Sequence, residues 1–245
     1  FIRHGLGDAV RRLGWATTLE KAGHALNWHN PGELARLEPP EQLRRAMEEL
    51  GPTFVKLGQI LAGRADLFGP AWIAEFEKLH SSAPPADAAA LRAQLIEDLG
   101  APPEEVFASF SAEPLAAASI AQVHAATLAD GTEVIVKVRR PGIRATVEAD
   151  LRLMERLARL AESEWPDLKP YQPQQLVRQL GRSLRRELDL ATECRHAERI
   201  AHNFAANPHV VIPKVYWDWT GERVNVQQRI SGIAGHALAE LDAQG

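Results

Sequence analysis

A lysine within a run of β-branched residues is the first candidate for chemistry in this sequence. Lys137 belongs to an alternating segment, 133–138, in which three valines share one face and Ile135 shares the face of the lysine. Before it, Asp130–Gly131 predicts a hairpin turn, because glycine adopts the positive φ that such turns require. A charged ammonium group on a strand costs free energy unless it reaches solvent or a partner. Lys137 is therefore either an edge-strand lysine that reaches solvent or a site residue with a charged partner.

Three acidic residues further along the chain could supply that partner. The segment 173–206 predicts one long helix, because leucines recur every four residues along one side of it. On a continuous helix Asp189 and Glu193 share a face, whereas Glu187 projects from another side. We therefore expect Glu193 to pair with Lys137. The alternative is a solvated face on which the three acids pair with neighbouring arginines.

A second group of polar residues lies on an earlier predicted helix, which spans 54–68 with Thr53 as its N-cap. Lys56 and Gln59 are three residues apart and so present together, either as a site or as ordinary surface residues. Between them, Gly58 costs about 1 kcal/mol relative to alanine, which predicts close approach by another backbone. We expect Glu187 and Asp189 to face this pair or a metal-bound phosphate.

Composition limits the class of protein. The chain has 245 residues and a formal net charge of −4, which gives no reason to expect nucleic-acid binding. Its one cysteine excludes an internal disulfide, and no apolar run has the roughly 18 residues that a membrane-spanning helix needs. The sequence begins at Phe1 rather than methionine, which predicts a piece of a longer protein.

Local patterns predict the remaining elements. Residues 1–38 form a basic amphipathic segment that either contacts a membrane surface or packs on the body of the protein. Further helices are expected from Pro39, from Pro70, from Ala88 to Leu99 after the cap Asp87, and over 147–162. Four residues form the expected buried face of the last helix: Leu151, Met154, Leu157 and Leu160. Two more strands are expected over 210–219 and 223–230.

Two motifs resemble those of one known family. The segment 114–124 reads PLAAASIAQVH, with alanines where a protein kinase carries a glycine-rich loop, and Val-Ile-Val-Lys at 134–137 is similar to the third strand of a kinase. Residues 56–59 read KLGQ, which matches a KxGQ motif, and Glu187–Asp189 matches an ExD motif. Together these motifs resemble the UbiB family of protein-kinase-like (atypical kinase) proteins.

The resemblance implies an α+β fold. It would comprise a kinase-like N-lobe, with an antiparallel sheet of about five strands and a long helix C, preceded by a helical extension that carries the KxGQ motif. The implied domains are 1–38, the amphipathic segment; 39–112, the extension; 113–230, the N-lobe with a helical insertion at 142–170; and 231–245, the hinge exit and the start of a C-lobe that is otherwise absent from this chain.

The resemblance also implies roles for individual residues. Those expected to bind nucleotide are Leu115, Ala116, Ala117, Ala118, Ser119, Ile120, Ala121, Gln122 and Val123 of the alanine-rich bend, Lys137 with Glu193, and Gln228 and Ile230 of the hinge. Those expected to occlude the substrate cleft are Lys56, Gly58, Gln59, Glu187 and Asp189. No catalytic residue and no metal ligand is expected within this chain, because HxD and DFG motifs are missing from it.

The implied activity belongs to the full-length protein. It would bind ATP or ADP with Mg²⁺ and act as a kinase or ATPase that supports ubiquinone biosynthesis. Its expected location is the cytoplasmic face of a membrane, with a lipid or quinone precursor and biosynthetic enzymes as partners. The fragment alone is expected to be inactive. Two alternatives remain at this point: a non-catalytic scaffold that nucleotide or lipid gates, and a wholly helical interaction protein with an incidental hairpin.

Overall fold

The computed structural model describes residues 37–79, 85–164 and 166–232, which fall into two compact units. Of the described residues, the first unit contains 37–79, 118–120, 142–164 and 166–185, and the second contains 85–117, 121–141 and 186–232. The expected amphipathic segment at 1–38 lies almost wholly outside the described residues, as does most of the segment expected to begin the next lobe. The domain boundaries expected from sequence remain predictions.

Helices supply most of the regular structure in the described residues. In chain order they are α1 Pro39–Leu50, α2 Pro52–Ala62, α3 Pro70–Phe76, α4 Ala88–Leu99, α5 Pro103–Val106, α6 Ile143–Glu164, α7 Pro173–Glu187 and α8 Leu190–Asn203. Short 3₁₀ turns occur at Pro166–Tyr171 and Trp217–Trp219. The expected cap of α4 is present, since Asp87 accepts a hydrogen bond from the backbone N–H of Ala90, and Gly100 ends the helix in the left-handed region.

The second unit is built around an antiparallel sheet. Its strands are β1 Ser109–Ala117, β2 Ala121–Thr127, β3 Glu133–Arg139 and β4 Val224–Gln228, and they neighbour one another in that order. Two register shifts interrupt the pairing of β1 with β2, on either side of Pro114. The expected hairpin joins β2 to β3, with Gly131 at φ 85°. The valines of β3 are fully buried, as their alternation predicts, and pack against Leu91, Leu95 and Phe107.

The expectation of about five strands is wrong for the described residues, which form four. Residues 210–219 make a single bridge, between Val215 and Gln227, and then enter the 3₁₀ turn. Pro213 lacks a backbone N–H and cannot continue a ladder, which is a physical reason for this difference. The sheet itself excludes the wholly helical alternative.

The expected long helix over 173–206 is two helices. Leu188 and Asp189 separate α7 from α8, and Asp189 has an extended backbone, with φ −105° and ψ 93°. Its carboxylate caps α8 by accepting a hydrogen bond from the backbone N–H of Thr192. The angular comparison of Asp189 with Glu193 on one continuous helix is therefore wrong.

In the first unit, two expected roles are also wrong. Thr53 is not the N-cap of α2, which Gly51 precedes; its buried hydroxyl instead donates to the Asp150 carboxylate of α6, 2.6 Å away. The buried face of α6 comprises Ile143, Val147, Leu151, Met154 and Ala158, whereas Leu157 and Leu160 are exposed. Leucines occupy two neighbouring stripes of this helix, so periodicity alone does not identify the stripe that faces inward.

Gly58 of α2 is closely packed, but against side chains rather than the expected backbone. A Cβ atom at this position would overlap Leu79 and lie 2.8 Å from the sulfur of Met47. Both neighbours are buried and belong to the apolar cluster between α1, α2 and α3.

Replacing Gly58 with alanine should therefore destabilise the protein. We expect Gly58→Ala to lower the free energy of unfolding by about 1–2 kcal/mol, because overpacking costs roughly 1–3 kcal/mol and alanine recovers up to about 1 kcal/mol of helix propensity. Urea titration would measure the change. Gly63→Ala is the matched control, since its Cβ meets only the Ile60 carbonyl oxygen at 3.5 Å. Equal stability of the two variants would contradict the prediction.

Candidate active site

An ion pair between strand β3 and helix α8 is the centre of the candidate site. Lys137 Nζ lies 2.7 and 2.9 Å from the two carboxylate oxygens of Glu193, which confirms the expected pairing. The lysine side chain is 26% exposed and the glutamate 51%. A pair this exposed contributes about 0–1 kcal/mol to stability. Its two charges are held in fixed positions at a surface that a small ligand can reach.

A buried arginine, which sequence analysis missed, positions the start of α8. Arg139 follows Lys137 by two residues on β3 and so shares its face. Its guanidinium donates to the Leu188 carbonyl at 2.5 Å and to the Glu222 carboxylate at 2.8 Å. The Leu190 N–H in turn donates to the Glu222 carbonyl at 3.0 Å. A second cation two residues after the strand lysine was the signal available in the sequence.

Asp189 completes the support for Glu193 from the helix side. Its carboxylate accepts hydrogen bonds from the Thr192 hydroxyl at 2.6 Å and the Thr192 N–H at 3.2 Å, and it contacts Arg195 at 3.3 Å. Partial burial acts to raise the pKa of Asp189, but the Thr192 bonds and the charge of Arg195 outweigh it, and the pKa lies below its ordinary value. Glu187 is half-buried at the end of α7.

The amide of Asn225 lies beside the ion pair. Asn225 stands opposite Lys137 in the pairing of β3 with β4, so the two side chains share a face of the sheet. The residue is fully buried, and neither its amide nitrogen nor its amide oxygen has a hydrogen-bond partner among the described residues. Buried side-chain amides rarely lack hydrogen-bond partners. Sequence analysis did not single this residue out.

Removing the Asn225 amide should stabilise the fold. We expect Asn225→Val to raise the free energy of unfolding by about 1 kcal/mol, because an unsatisfied buried amide costs roughly 1–3 kcal/mol. Chemical denaturation would measure the change, and Asn225→Ala would separate the loss of the polar group from the change in volume. A marked loss of stability in both variants would show instead that an ordered water molecule satisfies the amide.

The alanine-rich bend connects two paired strands. Leu115, Ala116 and Ala117 end β1, residues 118–120 form the bend, and β2 begins at Ala121. In the β1–β2 register Ala117 stands opposite Gln122, and Ala116 opposite Val123. Leu115 is exposed, whereas Ile120, Ala121 and Gln122 are buried. The second-unit residues that were expected to bind nucleotide here, 115–117 and 121–123, therefore lie together at the end of β1 and the start of β2.

Gln122 and His124 form a buried polar chain along β2. The Ala86 N–H donates to the Gln122 side-chain oxygen at 2.9 Å, and the Gln122 side-chain nitrogen lies 2.7 Å from His124 Nε2. His124 Nδ1 lies 2.8 Å from the Ser111 carbonyl oxygen. This arrangement fits a neutral imidazole that donates from Nδ1 and accepts at Nε2. Burial lowers the pKa of His124, and the bond to Ser111 opposes that shift only in part.

The buried imidazole should make stability depend on pH. The unfolded chain binds a proton at His124 near the ordinary pKa of 6.5, whereas the folded protein resists it until lower pH. The free energy of unfolding should therefore fall as pH decreases below about 6.5, until the folded-state pKa is reached.

Denaturant titrations between about pH 7 and pH 5 would measure this slope. His124→Gln should flatten it, whatever its effect on absolute stability. The same substitution at His196, which is exposed on α8, is the control and should preserve the slope. An unchanged slope in His124→Gln would contradict the prediction.

The remaining expected residues lie around the end of β4 and in the first unit. The Gln228 N–H already donates to the Lys214 carbonyl at 2.8 Å, and Ile230 is exposed just beyond β4. In the first unit, Lys56 and Gln59 are half-buried on α2, and the Gln59 side-chain nitrogen donates to the Leu79 carbonyl at 3.2 Å. The expected proximity of Lys56 and Gln59 to Glu187 and Asp189 remains a prediction.

Within 37–79, 85–164 and 166–232, no three histidine, cysteine or acidic side chains are grouped so that they could hold a metal ion. Nor does any described helix combine the length and apolar character needed to cross a bilayer.

Comparison with known proteins identifies relatives over the whole chain. A family model described as the ABC1 atypical kinase-like domain matches residues 78–245. The chain is 38% identical over 244 residues to "Probable protein kinase UbiB" of Sodalis glossinidius, covering 100% of this chain and 45% of that protein. It is 42% identical over 210 residues to the protein of the same name from Marinobacter nauticus, covering 86% of this chain and 38% of the relative.

A solved structure shares the fold. "The complex structure of Rv3197-erythromycin from Mycobacterium tuberculosis" matches with a TM-score of 0.52 and 26% identity, covering 91% of this chain and 52% of that one. The chain therefore spans less than half the length of the curated relatives named above and about half of this structure.

Proposed function

Since the chain belongs to the UbiB family of ABC1 atypical kinase-like proteins, we propose that it is the ATP-binding part of an ATP-dependent kinase or ATPase. The full-length protein would bind ATP with Mg²⁺ and transfer or hydrolyse its terminal phosphoryl group. The metal ligands are expected mainly outside residues 1–245, and this chain alone is expected to be inactive.

The ion pair of Lys137 with Glu193 is the observation that carries this proposal. An ammonium group held by a helix carboxylate at 2.7–2.9 Å has a fixed position, and it remains partly exposed. In kinases a strand lysine paired with a helix glutamate positions the nucleotide phosphates. Lys137 would play that role here, while Arg139 and the Asp189 cap keep Glu193 in register with it.

The other parts of the nucleotide site follow from the same arrangement. The alanine-rich bend between β1 and β2 would cover the phosphates, and its Cβ atoms would restrict the backbone more than glycines do. At the hinge, the Gln228 N–H already has an intramolecular acceptor. Adenine recognition would therefore use the carbonyl of Gln228 and the backbone of Ile230.

The substrate would be a small molecule rather than a protein. The KxGQ helix α2, through Lys56 and Gln59, would occlude the cleft together with Glu187 and Asp189. A lipid or quinone precursor of ubiquinone biosynthesis would then be the acceptor, at the cytoplasmic face of a membrane and alongside biosynthetic enzymes. The relatives' name, Probable protein kinase UbiB, supports the kinase-like part of this proposal.

A nucleotide titration of the full-length protein tests the proposal. Mg-ATP should raise its melting temperature, because a ligand at about ten times its Kd stabilises the folded state by about 1.4 kcal/mol. For a full-length protein of the relatives' length, about twice that of this chain, that corresponds to roughly 1–2 °C. Lys137→Met should retain the fold and lose most of the shift, since the phosphates lose their cation.

Arg92→Met is the matched control for charge. Arg92 forms an exposed ion pair with Glu104 at 2.6 Å in the same unit, so its loss removes an equivalent interaction away from β3. Mg-ATP should raise the melting temperature of Arg92→Met as much as that of the wild-type protein. A shift that persists in Lys137→Met would place the phosphates elsewhere. No shift in either folded protein would overturn nucleotide binding and favour a scaffold that binds partner enzymes.

A further inference from the structure

Helix α6 presents an exposed leucine stripe on the surface of the first unit. Leu153, Leu157 and Leu160 are 49%, 52% and 51% exposed. Their spacing of four and then three residues places them on one face of the helix. Single exposed apolar residues are common, but three large ones on one face form a continuous patch. We call these three residues the leucine stripe.

The orientation of α6 is fixed by its other faces. Val147, Leu151 and Met154 are buried on the side away from the leucine stripe. On one flank, Asp150 accepts the Thr53 hydroxyl of α2 at 2.6 Å, and on the other Glu148 accepts two hydrogen bonds from the Arg185 guanidinium of α7, at 2.9 Å each. The helix cannot rotate to bury the leucines without breaking these contacts.

The arginines of α6 share one side of the helix with an exposed acid, Glu155, which lies three residues after Arg152 and four before Arg159, and they outnumber it there. Of its acids, Glu148, Asp150 and Glu162 are engaged with Arg185, Thr53 and Gln174 of the same unit. Exposed arginines occur at 152, 156 and 159, with the spacing of a single row, and this arginine row lies about 90° around the helix from the leucine stripe.

The arginine row extends toward the neighbouring helix. Arg159 and Arg178 of α7 line one small pocket of about 180 Å³ together with Glu155 and Gln174. Arg182, one turn further along α7, is also exposed. An apolar stripe thus adjoins a basic surface formed by two helices, although the whole chain carries a net charge of −4. Glu164, the last residue of α6, is an acid at the far end of the stripe.

A helical protein partner fits this surface less well than a lipid surface does. A coiled-coil seam continuing the leucine spacing would need apolar residues at 150 and 164, which are Asp150 and Glu164. The apolar repeat therefore covers a single heptad, too short for such a seam. A bilayer needs no such register: short apolar stripes enter the acyl boundary while flanking arginines reach lipid phosphates through their long side chains.

We propose that the leucine stripe and the arginine row of α6 dock the protein on an anionic lipid surface. This inference deepens the membrane association in the proposed function and rests on it, but it does not depend on nucleotide binding at Lys137. The leucines provide the apolar contact, and the arginines provide the preference for negatively charged headgroups.

An environment-sensitive fluorophore on α6 tests the proposal locally. Leu157→Cys in the full-length protein would be labelled with a nitrobenzoxadiazole dye. The native Cys194 is buried, and burial, aided by the charge of Glu193, raises its pKa to about 11, so it should not compete for the label. Vesicles containing phosphatidylglycerol should shift the dye emission to the blue and increase its intensity severalfold, and brominated acyl chains should quench it.

Controls separate the apolar and charged contributions. Phe204→Cys, also an exposed apolar position but in the second unit, should show no such response. Pure phosphatidylcholine should give a severalfold weaker response at position 157. Replacing Arg152, Arg156 and Arg159 with glutamine should abolish the preference for phosphatidylglycerol. An equal response to the two lipids in the wild-type background would overturn the anionic part of the proposal.

Vesicle flotation distinguishes this inference from the proposed function. If the protein floats with vesicles but the dye at 157 does not respond, the membrane contact lies elsewhere and the inference is wrong. If the protein does not float at all, the proposed membrane association fails as well. Lys137→Met should leave the dye response unchanged, since nucleotide binding is not required.

Discussion

The guanidinium of Arg139 is the contact on which the candidate site depends. A buried charge of this kind is costly unless its donors are satisfied, and this one bridges the Leu188 carbonyl and the Glu222 carboxylate. The backbone of the same residue accepts a hydrogen bond from the Gln94 side chain at 2.7 Å and donates one to the Arg223 carbonyl at 2.8 Å. One residue at the end of β3 thereby joins α4, the break before α8 and the segment that leads into β4.

The proposed phosphate site would depend on these hydrogen bonds of Arg139 more than on the strength of any single ion pair. Lys137 and Glu193 are partly exposed, and pairs of this kind add little to stability. The hydrogen bonds of Arg139 fix the positions of both charged groups. The lysine precedes Arg139 by two residues, and the glutamate follows the capped start of α8 by one turn. A phosphate group entering the site would meet a cation that is already oriented, with little further ordering to be done.

Sequence patterns predicted the features that depend on local chemistry. The Asp130–Gly131 turn, the alternation of β3, the cap of α4 and the pairing of Lys137 with Glu193 are present in the structure. Patterns failed where a tertiary contact overrides a local preference. The apolar repeat runs unbroken through Leu188, so hydrophobic periodicity does not mark the break that Arg139 and Glu222 stabilise from other parts of the chain. Likewise, only the packing of α6 decides which of its two leucine-bearing stripes is buried.

The irregular pairing of β1 has a consequence for how this protein behaves in concentrated solution. As the outermost strand of the sheet order, β1 presents backbone groups with which a strand of another molecule could pair. Its register shifts lie on either side of Pro114, which has no N–H to offer, and His124 ties the preceding Ser111 carbonyl inward. Among the described residues, this edge therefore offers no long, straight ladder to a second chain, which disfavours edge-to-edge aggregation.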